Sequence, residues 1–108
     1  MKGAEGPRIG PMRRSLVERS LRDVHTRLVR VRQELAVLDE QLDVFTDAAD
    51  DARIRSLVSE TPLAGHEYAS AQRHADAASG ERGRLQAMIG DLERRQNELL
   101  GQLVPEPR

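Results

Sequence analysis

Apolar residues recur along this chain at alternating steps of four and three, in two separate stretches. The first runs through Val17, Leu21, Val24, Leu28, Val31, Leu35, Leu38, Leu42 and Phe45. The second runs through Ala64, Tyr68, Ala71, Ala75, Ala78, Leu85, Ile89, Leu92, Leu99 and Leu103, with Arg82 and Gln96 keeping the phase. Such steps place side chains on one narrow stripe of an α-helix, the seam of a coiled coil. The expected fold is all-α: two long helices forming an antiparallel coiled-coil hairpin. Ile54, Leu57 and Val58 leave the phase of the first stretch, which allows a break in that helix at 46–51.

Local signals set the boundaries. Residues 1–11 hold three Gly and two Pro with no apolar pattern, so they read as a disordered tail, with Met12 a candidate natural start. Ser15 and Glu18 have the spacing of a capping box, which starts the first helix at about 15 and runs it to about 59. Thr61 and Pro62 are an N-cap residue and a first-position proline; they place the turn at about 60–65 and the second helix at about 62–103. Pro105 and Pro107 end it and leave 105–108 as a tail. Gly80, Gly83, Gly90 and Gly101 fall on the outer face, and Ser79-Gly80 is the expected site of a kink.

A turn centred near residue 63 fixes a register in which paired residue numbers sum to about 127. Leu28 then meets Leu99, Leu35 meets Leu92, Leu38 meets Ile89 and Leu42 meets Leu85. Val31 faces Gln96, and Phe45 faces Arg82 in a cation–π or stacking contact. Nearer the turn Ala49 and Ala52 face Ala78 and Ala75, a seam that buries little apolar area. Val17 and Leu21 extend beyond the end of the second helix in this register. They are therefore expected to contact another protein, a second copy of the chain first of all. A two-helix monomer with so narrow a seam is marginal, so a homo-oligomer is expected.

Composition narrows the function. Aromatics are 2% of the 108 residues and charged residues 32%, a coiled-coil balance rather than that of an enzyme with an aromatic-lined pocket. No cysteine is present, which removes disulfides, thiolate metal sites and a cysteine nucleophile. No apolar run is long enough to span a bilayer and no signal peptide is visible, so a cytoplasmic protein with no membrane partner is expected. Arginine outnumbers lysine sixteen to one, which reads as the codon bias of a GC-rich genome more readily than as a preference for planar, bidentate contacts.

Charge is sorted. From Met12 to Arg32, seven arginines face Glu18 and Asp23, a balance of +5. From Gln33 to Glu60, eight acids face Arg53 and Arg55, a balance of −6. In a hairpin the open end is basic and the turn end acidic, and Arg13, Arg14, Asp47, Asp50 and Asp51 are the charged candidates for protein contact. With a net charge of −1 and no stacking aromatics beyond one Tyr and one Phe, nucleic acid is not an expected partner. His66 and His74 lie eight apart, too far for the i, i+4 spacing of a helical metal site, and no nucleophile–base pair stands out. No catalytic residue, metal or cofactor is expected.

Two resemblances add to this reading. Asp47-Ala-Ala-Asp50-Asp51-Ala52 resembles the coiled-coil-tip motif of zinc-finger regulators that enter the secondary channel of bacterial RNA polymerase. It covers six residues, and the zinc-binding cysteines of that family are absent. Three segments, Met12 to Leu21, Asp50 to Ala64 and Ala71 to Ala78, resemble a family of small actinobacterial coiled-coil proteins. That resemblance implies a helical fold and carries no activity. The small secreted hairpins with a Trp-x-Gly turn are not matched, because the chain has no Trp. The expected function is a non-enzymatic protein–protein interaction module, an adaptor, regulatory or structural coiled coil that self-associates. The alternative is a transcription regulator that binds RNA polymerase through the acidic end.

Overall fold

The computed structural model describes residues 10–103, and two helices occupy nearly all of them. Helix α1 is Pro11–Ser59 and helix α2 is Pro62–Leu103, 49 and 42 residues. Of the tails expected at 1–11 and 105–108, residues 1–9 and 105–108 lie outside the described residues, while Pro11 already belongs to α1. The two helices form the expected hairpin, and no strand is present among the described residues.

Helix α1 starts four residues earlier than its capping-box signal. Proline at the first helical position has no amide hydrogen to satisfy and a φ already suited to a helix. Gly10 precedes it, and its carbonyl accepts the Arg14 N–H at 2.8 Å to close the first turn. Ser15 is therefore an exposed residue inside the helix, not its cap. Glu18 accepts from the Arg14 guanidinium at 3.0 Å instead of reaching back to the backbone. The helix also runs unbroken through 46–51. The departure of Ile54, Leu57 and Val58 from the stripe turns them outward without interrupting the backbone. Helix α2 likewise continues through Ser79-Gly80.

The connection is two residues long. Glu60 donates its N–H to the Ser56 carbonyl at 3.1 Å and takes a left-handed φ of 51°, which ends α1 as a glycine usually would. Thr61 then caps α2. Its hydroxyl accepts the Ala64 N–H at 3.1 Å, and its carbonyl accepts the Gly65 N–H at 3.1 Å. Pro62 fills the first helical position, as its sequence context predicts.

The chain divides into two compact units, one formed by the Met1–Val31 and Met88–Arg108 segments and the other by Arg32–Ala87. In the second, Arg82 pairs with Asp39 and the Phe45 ring meets His74, so facing residue numbers sum to about 120. In the first, Leu99 and Gln102 lie beside Val17 and Ser20, in the same register. The expected sum of 127 is thus corrected by one heptad. A slip of seven leaves every stripe position on the stripe, so periodicity is blind to it; the short connection decides.

This register faces Leu28 with Leu92 and Leu21 with Leu99 in the first unit. In the second it faces Leu35 with Leu85, Leu42 with Ala78 and Phe45 with Ala75. Burial agrees: Leu28 is fully enclosed, and Val24, Val31, Leu92 and Leu99 are buried around the same seam. The seam of the second unit is lined by buried Ala49, Ala52, Ala64, Ala75 and Ala78, with Leu85 its one large buried side chain. Alanines remove little apolar surface from water, so the Arg32–Ala87 unit is the more weakly held.

Glu60 holds a conformation that costs an L-residue about 1 kcal/mol or more and glycine very little. Glu60→Gly is expected to raise unfolding stability by about 1 kcal/mol, read as a higher urea midpoint by far-UV circular dichroism at low protein concentration. An unchanged or lower midpoint would show that the carboxylate offsets the strain locally.

Candidate functional site

The seven residues singled out for protein contact fall into three settings. Val17 is buried, at 6% exposure, and Leu21 is half-buried. The slip of one heptad brings the last turns of α2 beside them, so neither is the unpaired extension that the sequence suggests. Arg13 and Arg14 are exposed in the first turns of α1, Arg14 in its pair with Glu18. Asp47, Asp50 and Asp51 are exposed on the outer face of α1.

Around Val17 the first unit forms a groove of about 240 Å³. Arg13, Leu16, Val17 and Ser20 line it from α1; Arg95, Leu99 and Gln102 line it from α2. Its lining is mixed, two arginines, a serine and a glutamine beside three aliphatics, and the Arg95 guanidinium reaches Glu98 at 3.6 Å. The volume falls below the roughly 300 Å³ at which drug-sized ligand sites begin.

Arg13 and Arg14 are also poorly placed for α1 itself. The first turn of a helix carries partial positive charge, and cations there are unfavourable by a few tenths of a kcal/mol, about the worth of the acids that usually occupy it. No acid stands in the first turn of α1.

The turn end has a different character from the one its charge suggests. Ile54, Leu57, Val58 and Leu63 are all more than half exposed, Val58 at 79%. They come from the last two turns of α1 and the first turn of α2, with Glu60 between them. Ile54, Leu57 and Val58, spaced i, i+3 and i+4, share one face of α1, and the charges beside them are Arg53, Arg55 and Glu60. The signal was present in the sequence as a loss of phase at Ile54, and a helix that continues through a loss of phase must turn those residues outward. The three aspartates lie before this end, and Asp51 is about two and a half turns from Glu60. Among the described residues no group of three imidazoles or carboxylates is placed to hold a metal ion.

Within the second unit two contacts replace the expected Phe45–Arg82 pair. Arg82 donates its Nε–H to Asp39 at 2.5 Å, and Phe45 packs against His74 with ring centroids 5.9 Å apart and planes tilted by 50°. Arg82 occupies a seam position, so its guanidinium leans out to a carboxylate at the flank, both side chains about two-fifths exposed. A pair that exposed contributes little stability. It is a contact that this register makes across the two helices. The remaining ion pairs, such as Arg84 with Glu81 and Arg94 with Asp91, are local surface pairs along α2.

No helix among the described residues is long and apolar enough to cross a membrane. Comparison with protein-family models, with curated proteins and with solved structures returns no match.

Burial separates the two valines in kind. Val17→Asp is expected to cost about 3 kcal/mol by placing a charge in the seam, whereas Val58→Asp should move stability by less than about 0.5 kcal/mol. Thermal unfolding followed by circular dichroism measures both, and equal losses would contradict the register described above. Arg82→Leu is expected to add about 1 kcal/mol through burial on the seam, seen as a higher urea midpoint; a loss instead would make the Asp39 contact a net stabiliser.

Proposed function

We propose that this chain is a non-enzymatic protein–protein interaction module that assembles with copies of itself. One observation carries the reading: large apolar side chains are distributed the wrong way for a self-sufficient monomer. Among the described residues, eleven large hydrophobic side chains are exposed, against seven valines and leucines that are buried. Every other buried apolar residue is alanine. A seam that narrow leaves a hairpin marginal, and covering the exposed aliphatics with another protein surface is the direct way to stabilise it.

The rival reading, a regulator of RNA polymerase acting through carboxylates at the hairpin end, has less support. Its motif residues lie before the turn, and the turn itself presents Leu57, Val58 and Leu63. An apolar end suits a folded protein surface better than a polar catalytic centre.

Self-association coupled to folding makes stability depend on concentration. Over an about hundredfold dilution the unfolding temperature is expected to fall, and sedimentation velocity is expected to show conversion from assemblies to monomer. A single monomeric species with a constant unfolding temperature throughout would rule out the homotypic part of this reading.

A further inference from the structure

Helix α1 has a second face, made of the heptad positions farthest from the seam, and from Ser15 to Val58 every residue on it is exposed. Its aliphatic members include Leu16, Val37, Val44 and Val58, which share one heptad position, and Val29 and Leu57, which share the position before it. Charge on this face is sorted by sign. Up to Val31 it carries Arg19, Arg22 and Arg30 against Asp23, a balance of +2. Beyond Val31 it carries Glu40, Asp43, Asp47, Asp50 and Asp51 and no arginine, a balance of −5. Arg53 and Arg55 lie to either side of the face rather than on it. The helix that carries both halves is unbroken.

We propose that two copies pair antiparallel along this face of α1, residues 16–30 of one copy lying on residues 43–57 of the other. This rests on the self-association reading above and names its surface. The occupant is a second copy because the basic half of the face is answered by the acidic half of the same helix, and antiparallel pairing answers both halves at once. In parallel pairing each of the five acids would meet its own counterpart. Pairing residues whose numbers sum to 73 sets Leu16 against Leu57, Val29 against Val44 and Ala36 against Val37. The same pairing sets Arg22 against Asp51 and Arg30 against Asp43. Of the flanking charges, Arg53 falls beside Glu18 of the other copy and Arg55 beside Ser20. One pair has like sign, Asp23 with Asp50. The pairing is two-fold symmetric, so each contact is made twice. A slip of one heptad is not silent here as it is in the seam. It sets Leu16 against Asp50 in one direction and Val29 against Asp51 in the other.

The absence of cysteine allows a direct test. Val29→Cys and Val44→Cys are made separately in the full chain, mixed, and oxidised at a concentration where the wild type assembles. Disulfides are expected between position 29 of one copy and position 44 of another, with far fewer 29–29 and 44–44 products. A second arm reverses charges on the exposed face and leaves the seam alone, with affinity read by sedimentation equilibrium. Arg22→Asp with Arg30→Asp is expected to loosen the dimer about tenfold or more, and Asp43→Arg with Asp51→Arg to do the same. Helix content by circular dichroism is expected to be unchanged in both. All four changes in one chain are expected to restore the wild-type affinity, because each opposite-sign pair is then reversed together. Excess 29–29 or 44–44 disulfides, or a four-change chain no tighter than the double variants, would overturn this pairing and leave self-association standing. A wild type that stays monomeric would overturn both.

Discussion

The two-residue connection between Ser59 and Pro62 is the constraint on which the rest of this fold depends. A heptad seam can slide by seven residues and still present the same kind of side chain at every contact, so hydrophobic burial alone is degenerate. The left-handed Glu60 and the Thr61 cap remove that degeneracy by ending one helix and starting the next with no slack. With the connection this short, the last turns of α2 lie beside Val17 and Leu21 and bury the first of them. A turn centred near residue 63, as expected from the sequence, would have left that end of α1 uncovered. Arg82 with Asp39 is consistent with the same register and contributes little stability.

Side-chain size then divides the hairpin. Around Leu28 the seam is built from valine and leucine, and there the helices separate from water the most apolar area that this chain offers. Around Ala49 and Ala75 it is built from alanine, which brings backbones close but gives little hydrophobic gain. The Phe45–His74 contact and Tyr68, half-buried, supply the aromatic bulk in that unit. Local opening should therefore cost least in the Arg32–Ala87 unit. The exposed aliphatics Ile54, Leu57, Val58 and Leu63 belong to that weaker unit, so covering them would stabilise it where it most lacks a core of its own.

Much of this was legible in the residues. The stripes give both helices and their antiparallel pairing; Thr61-Pro62 gives the start of α2 to the residue. What the sequence could not supply was anything defined only modulo the heptad. Val17 and Leu21 looked unpaired because a turn centred near 63 displaced every contact by seven, and the stripe contains nothing to object to that. The capping box at Ser15 and Glu18 was a true pattern outcompeted by Gly10-Pro11, whose proline needs no cap partner. The outward aliphatics near the turn were visible as a broken phase. A broken phase has two physical meanings, an interrupted helix or a second exposed face, and only the unbroken backbone of α1 separates them.

Where local preference is satisfied, this sequence is a conventional hairpin; where it is violated, the violations cluster. Arginines stand at the positive end of α1, a glutamate holds a glycine conformation, and four aliphatics near it in the chain face water. Each choice costs a fraction of a kcal/mol to about 1 kcal/mol in the isolated chain, and together they approach the margin of a small helical domain. Consistency across levels is what makes a sequence fold, and departures that nothing within the chain offsets point to a surface used by something outside it.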